Sequence, residues 1–183
     1  YRTQEELLNV AREYKRRGLP ISVIIIDFFH WPEQACGTST RSTGPIRKHG
    51  ERAGGNGHQA DGVRVAHCDP KSPNYPTMME QGYLVHTDRG NRTQLECGGY
   101  EVFYDATTGA REFVWDKIKK HYYDRGIKHF WLDAAEPETI PYHYDNFRSN
   151  GLGLEVANVY PYYYEKTVYD GLKAPARPTS STW

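Results

Sequence analysis

Two aspartates in this sequence come directly after runs of apolar residues, a position from which a carboxylate can do chemistry. Ile21–Ile26 leads into Asp27, and Phe130–Leu132 leads into Asp133. A carboxylate placed in this way can act as a nucleophile or bind a metal ion. It can also simply cap the loop or helix that follows the strand.

The elements around the two aspartates repeat along the chain. Each apolar run follows a helix-stop signal, Gly18 in the first case and Gly126 in the second, and a continuous apolar run predicts a buried parallel strand. A helix, a glycine, a buried strand and an acid form the layout of a (β/α) barrel whose chemistry lies on its C-terminal face. Because right-handed crossovers keep such strands parallel, we expect Asp27 and Asp133 at the same end of one sheet.

Apolar periodicity and capping signals predict the remaining elements. A capping box at Thr3–Glu6 opens a helix that ends at Gly18. Further helices are predicted at 75–81, 110–123 and 161–169, and further strands at 83–86, 100–104 and 156–157. With 183 residues the chain is too short for a complete barrel of roughly 250 residues. The predicted fold class is therefore α/β, a partial (β/α)₈ TIM-type barrel that occupies residues 1–183.

Composition argues against several classes of partner and cofactor. The chain carries 23 basic and 23 acidic residues, so no basic surface for nucleic acid is expected. No long apolar segment or signal peptide is visible, which argues against a membrane partner and favours a cytoplasmic location. The His, Asp and Glu residues show no ligand spacing, so we expect no metal and no cofactor. Three cysteines without metal-type spacing, Cys36, Cys68 and Cys97, predict neither a disulfide framework nor a zinc site.

Two segments depart from the rest of the chain in composition. Residues 35–68 are rich in Gly, Arg, Thr, Ser and His and nearly lack large apolar residues, and residues 174–183 are rich in Pro, Ser and Thr. An intrinsically disordered insertion would explain 35–68. The alternative is a frameshift, because codons read out of phase can spell a glycine and an apolar strand within 54–66. Since 35–68 as written has little to bury, we expect no parallel strand there.

Five stretches of the sequence carry a resemblance to a known family. They are Ile24–Trp31, Asp69–Tyr75, Phe103–Ala106, Ala110–Trp115 and Phe130–Glu138. With them the chain resembles glycoside hydrolase family 31, the α-glucosidase and α-xylosidase family, over residues 1–34 and 69–173. The most specific part is the string Trp-Leu-Asp-Ala-Ala-Glu-Pro-Glu, which begins at Trp131.

The resemblance implies a retaining mechanism and a set of site residues. Asp133 matches the family's nucleophile, which forms a covalent glycosyl-enzyme. Asp27 matches a carboxylate that accepts hydrogen bonds from sugar hydroxyls. The other expected substrate-binding residues each have a structural alternative such as core packing or a helix-dipole acid; they are Phe28, Trp31, Trp131 and Glu136.

No residue of the chain matches the family's acid/base carboxylate, since Asp145 and Asp170 stand in the wrong context. The first hypothesis is thus a fragment of a retaining α-glycosidase that takes an oligosaccharide or α-glycoside and is inactive alone. The second is a catalytically inactive sugar-binding fragment. The third is an unrelated (β/α) enzyme with Asp27 and Asp133 as metal ligands. Xyloside or glucoside preference, hydrolysis or transfer, and oligomerisation of the full-length protein stay open.

Overall fold

The computed structural model of the chain describes residues 3–26, 59–64, 66–87, 95–96, 100–135 and 146–174. Its helices are α1 (Gln4–Arg16), α2 (Tyr75–Glu80), α3 (Ala110–His121), α4 (Gly153–Val156) and α5 (Tyr160–Lys173), with 3₁₀ turns at Tyr123–Arg125 and Ala157–Val159. Its strands are β1 (Val23–Ile26), β2 (Gln59–Arg64), β3 (His67–Cys68), β4 (His86–Thr87), β5 (Leu95–Glu96), β6 (Tyr100–Phe103), β7 (His129–Leu132), β8 (Asn146–Arg148) and β9 (Gly151–Leu152).

A parallel sheet holds the two strands that precede the sequence-predicted acids. Its order is β1-β2-β7, with Ile25 opposite Asp61 and Asp61 opposite His129. β1 and β7 therefore run in the same direction, and their carboxyl ends lie at one edge of the sheet. This confirms the predicted strand arrangement. Asp133 follows β7 at that edge, whereas Asp27 lies outside the described residues.

The expectation that residues 35–68 hold no parallel strand is wrong. β2 pairs in parallel with β1 on one side and with β7 on the other. That expectation considered only the burial of apolar side chains, whereas the hydrogen bonds between neighbouring strands are made by the backbone. The facing N–H and C=O groups of β1 and β7 need partners, and a segment between them supplies these partners whatever its side chains are.

The parallel sheet buries one of its faces. In β7 the side chains of Phe130 and Leu132 pack against the hydrophobic core, and Ile26 of β1 packs on the same side. The alternate side chains point the other way. We call that side of the sheet the open face; its exposed side chains are Val23, Ile25, His129 and Trp131.

Helices α3 and α5 pack against each other beside the sheet. Val114, Trp115 and Ile118 of α3 are buried, and a Cβ added at Gly171 of α5 would overlap the Trp115 indole ring. Glycine at 171 thus lets the two helices approach closely. α1 begins with the predicted capping box at Thr3, whose hydroxyl accepts from Glu6 N at 3.2 Å.

The connections after β2 and β7 carry small antiparallel sheets. β3-β6-β5 and β4-β8-β9 are formed, with a further bridge between Leu84 and Tyr104. The predicted strand at 156–157 is wrong, because α4 and a 3₁₀ turn occupy Gly153–Val159. Two apolar residues are too few to define a strand, and helical turns satisfy the backbone locally.

The prediction that the cysteines form no disulfide is also wrong. Cys68 is disulfide-bonded and 1% exposed. Cys36 and Cys97, the other cysteines of the chain, lie outside the described residues. The prediction rested on the odd count and on linear spacing, and neither restricts which cysteines approach each other in three dimensions.

Candidate active site at the carboxyl edge of the parallel sheet

Asp133 is exposed at the point where β7 ends. Its Oδ1 accepts a hydrogen bond from the backbone N–H of Ala134 at 2.9 Å. Ala134 has φ +52° and is the one non-glycine residue in the described ranges with positive φ. The left-handed region costs a residue with a Cβ about 1 kcal/mol, and such strain clusters at functional sites.

Trp131 lies on the same side of β7 as Asp133, two residues earlier. Its side chain is 55% exposed, whereas Phe130 between them packs against the core. Trp131 is therefore not packed in the core of the described residues, and its role as a pocket wall stays a prediction.

Four sequence-predicted site residues lie outside the described residues: Asp27, Phe28, Trp31 and Glu136. The structure does describe the carboxyl ends of β1 and β7, the strands that precede these residues. β1 and β7 end at the same edge of the sheet, β1 immediately before Asp27 and β7 four residues before Glu136.

A buried carboxylate that the sequence analysis did not single out joins two loops at this edge. Asp105 is 3% exposed. Its Oδ1 accepts from Thr107 N at 3.0 Å and Thr107 Oγ1 at 2.6 Å, and its Oδ2 accepts from Ser149 N at 2.7 Å. We call Asp105, Thr107 and Ser149 the loop clamp. The Asp-x-Thr spacing signals the local turn, but no sequence signal marks the bond to Ser149.

Tyr160 fixes the backbone next to the loop clamp. Its buried hydroxyl lies 2.8 Å from the carbonyl oxygen of Tyr104 and 3.3 Å from that of Ala66, and donates to this pair. Ala66 follows β2 by two residues, and Tyr160 begins α5. The hydroxyl therefore joins the loop after β2, the end of β6 and the start of a covering helix.

Arg148 supplies a positive charge beside these groups. Its guanidinium lies 4.6 Å from the Tyr160 ring centroid, and its Nη1 approaches the Val156 and Ala157 carbonyl oxygens at 3.4 and 3.3 Å. Burial lowers the pKa of Arg148, while Tyr160 and Asp105 act in the opposite direction.

His67 is the other buried ionisable group near this edge. It is 3% exposed and lies edge-on to the Phe103 ring, with centroids 5.6 Å apart. Burial lowers its pKa from 6.5 to about 4. The imidazole is therefore neutral at physiological pH.

Within the described ranges, no three His, Cys, Asp or Glu residues are grouped so that they could hold a metal ion. The same ranges contain no helix that is long and apolar enough to cross a membrane. The chemistry that the described residues offer is that of an exposed carboxylate, Asp133, two residues after an exposed tryptophan.

The family model of the glycosyl hydrolases family 31 TIM-barrel domain matches residues 1–182. The chain belongs to glycoside hydrolase family 31. Its parallel strands and covering helices are accordingly part of a (β/α)₈ barrel. The matched range includes 35–68, the segment in which β2 was not expected.

Known members of family 31 resemble the chain over nearly its whole length. An uncharacterized family 31 glucosidase of Pseudescherichia vulneris is 46% identical over 181 residues, which are 95% of this chain and 34% of that protein. The α-xylosidase A of Aspergillus niger is 28% identical and matches 94% of this chain and 26% of its own length. The crystal structure of a family 31 α-xylosidase from a soil metagenome, complexed with xylose, aligns with a TM-score of 0.89 and 42% identity. That alignment covers 97% of this chain and 27% of the crystallised one, so the chain spans about a third or less of these relatives.

Proposed function

We propose that the chain is part of the catalytic barrel of a retaining α-glycosidase that cleaves α-xylosidic or α-glucosidic bonds. The observation that carries the proposal is Asp133, exposed at the carboxyl edge of the parallel sheet and followed by the strained Ala134. In (β/α) barrels this edge is where catalytic residues lie. Relatives named as xylosidases and a glucosidase support the substrate class.

In the proposed mechanism the Asp133 carboxylate attacks the anomeric carbon of the bound sugar. A bond forms between carbon and carboxylate oxygen as the bond to the leaving oxygen breaks, which gives a covalent glycosyl ester. A second carboxyl group protonates the leaving oxygen and then takes a proton from the water that hydrolyses the ester. A retaining enzyme needs these two groups about 5–5.5 Å apart.

Other residues would bind and orient the sugar in this mechanism. Asp27 would accept hydrogen bonds from sugar hydroxyls, and Phe28 and Trp31 would stack on sugar faces. Trp131 would wall the pocket from the same strand as the nucleophile. Glu136 would orient or polarise Asp133 from the loop that follows.

The second carboxyl group has no counterpart in the described part of this chain. Asp170 is exposed on α5 and forms an ion pair with Lys166 at 2.8 Å, away from the carboxyl edge, and Asp145 lies outside the described residues. We therefore propose that the 183-residue chain does not turn over substrate by itself. The second hypothesis for this chain, a sugar-binding fragment without catalytic activity, is consistent with that proposal.

Covalent labelling of the full-length protein tests the proposal. A 5-fluoro-α-glycosyl fluoride should form a stable ester, and mass spectrometry of peptides should place it on Asp133. Asp170→Ala is the matched control, since it removes an exposed carboxylate that plays no part in the mechanism, and it should label like wild type. Labelling elsewhere would refute the assignment of Asp133. Activity lost to EDTA and restored by a divalent metal would favour the metal-dependent alternative.

A further inference from the structure

We propose that a cavity between α3 and α5 binds a single sugar ring, as a second site separate from Asp133; the class of the ligand rests on the proposed function. The cavity has a volume of about 200 Å³, and side chains of both helices line it. Pockets for drug-sized ligands begin at roughly 300 Å³, so this cavity suits one monosaccharide unit rather than an oligosaccharide. We call it the helix cavity.

The helix cavity lies on the covered side of the parallel sheet. Trp115, which lines it, contacts Phe130 of β7 edge-on, with ring centroids 6.5 Å apart. Phe130 packs toward the core, whereas Trp131 is exposed on the open face. Asp133 follows Trp131 by two residues on that same side. A sugar in the helix cavity is therefore not the one that Asp133 attacks.

The inner wall of the helix cavity is apolar. It is formed by Trp115, which is 8% exposed, and by Gly171, where any added Cβ would overlap the indole ring. Ala174 adds a methyl group at the exposed end of the wall. A pyranose ring carries C–H groups on its faces, and these groups pack well on an apolar wall that holds an aromatic ring.

Charged groups stand at the mouth of the helix cavity. Within the described part of the chain, neither Arg111 nor Glu112 forms an ion pair. Arg111 Nη1 is buried without a hydrogen-bond partner, and the guanidinium lies 5.8 Å from the Tyr163 ring centroid; Glu112 is exposed. Lys166 and Asp170 also line the cavity, but they form an ion pair with each other at 2.8 Å. Arg111 and Glu112 are thus the charged groups available to a ligand.

A cation and an anion side by side favour a neutral ligand that carries hydroxyl groups. One hydroxyl can accept a hydrogen bond from the Arg111 guanidinium, and its neighbour can donate one to the Glu112 carboxylate. Hydrogen bonds to charged groups of this kind are roughly twice as strong as neutral ones. A ligand with a net charge would instead face one like charge. Adjacent hydroxyls on a ring with apolar faces are the chemistry of a monosaccharide.

The test measures sugar binding by the full-length protein after its active site has been blocked with the 5-fluoro-α-glycosyl fluoride. Arg111→Leu removes the donor groups and leaves an apolar side chain against Tyr163. Ala174→Trp fills the helix cavity from an exposed position. Asp116→Asn is the matched control, because it removes an exposed carboxylate of α3 that does not line the cavity.

The readout is the dissociation constant of xylose and of glucose from isothermal titration calorimetry. The blocked wild type should still bind sugar, in the millimolar range expected for so small a ligand. Arg111→Leu should raise the dissociation constant about tenfold, because the charge-assisted hydrogen bonds are lost. Ala174→Trp should abolish binding, and Asp116→Asn should stay within about twofold of wild type. Thermal unfolding shows that each variant is folded.

Two results would overturn the inference: no sugar binding by the blocked wild type, or binding that Arg111→Leu and Ala174→Trp leave unchanged. Mass spectrometry of the same samples tests the proposed function separately. An ester on Asp133 without further sugar binding refutes the helix cavity alone. If no ester forms on Asp133, the proposed function fails, and titration of the unlabelled variants decides on the cavity. Should Arg111→Leu not fold, Ala174→Trp decides.

Discussion

Asp133 combines an accessible carboxylate with a fixed position. The side chain is exposed, yet Oδ1 is held by the next backbone N–H at 2.9 Å. The resemblance in sequence identified this aspartate, but the left-handed conformation of Ala134 could not be read from an alanine, a residue that usually avoids it. Asp133 and Ala134 can each be tested by substitution.

In the full-length enzyme, Asp133→Ala should reduce kcat by about 10⁴-fold or more, because the ester intermediate cannot form without the carboxylate. Binding of the substrate should change little, since contacts to remote hydroxyls stay. Azide should restore turnover by attacking from the vacated side, and it should yield the glycosyl azide of inverted configuration. Steady-state rates with 4-nitrophenyl α-xyloside and α-glucoside measure this; undiminished turnover would exclude Asp133 as the nucleophile.

Ala134→Gly should raise the free energy of unfolding by about 0.5–1 kcal/mol, because glycine adopts φ +52° without a Cβ clash. Ala135→Gly should be destabilising, since that residue has no positive φ and glycine only adds entropy to the unfolded chain. Urea denaturation of both variants gives the comparison. Equal losses in the two would mean that Ala134 is not strained.

Among the elements, the tight packing of α3 on α5 depends on one glycine. Gly171→Ala should cost about 1–3 kcal/mol of unfolding free energy, because the new methyl group overlaps the Trp115 ring. Glu165→Ala, on an exposed position of the same helix, should stay within about 0.5 kcal/mol. Thermal unfolding of the two variants side by side is the measurement, and a tolerated alanine at 171 would contradict the close approach.

β2 offers a test of the element that the sequence did not predict. Backbone amides in Gln59–Arg64 that bond to β1 and β7 should exchange with solvent slowly, as in a central strand. Hydrogen exchange followed by mass spectrometry reads this segment directly. Exchange as fast as in an unstructured peptide would show that this segment forms no strand, as expected from its composition.

Features of the fold could be predicted from the sequence where they depend on residues that are close together in the chain. The capping box at Thr3 and the strand into Asp133 depend on neighbours in the chain, and both were predicted. β2 depends on the backbone needs of strands far away in the sequence, and Asp105 is buried through a partner at Ser149. Contacts of that kind leave no periodicity, so pattern reasoning missed them.

For the molecule as a whole, His67 should make stability dependent on pH. Its pKa falls from 6.5 to about 4 on folding, so the unfolded chain binds a proton that the folded chain does not. The stability from the neutral imidazole is fully present above pH 6.5 and is lost as pH falls toward 4, up to roughly 3 kcal/mol. The urea concentration at the midpoint of unfolding, measured at intervals from pH 7 to 4, should fall with pH. In His67→Gln this dependence of stability on pH should be weaker.

The open face has a consequence for handling the protein. Val23, Ile25 and Trp131 are 39%, 40% and 55% exposed on one side of a three-stranded sheet. Water-exposed apolar side chains next to strand edges promote aggregation. Produced alone, the chain should self-associate as its concentration rises, with sedimentation that mild detergent reverses. We therefore expect the full-length protein to be more soluble than this chain alone if its remaining residues cover the open face.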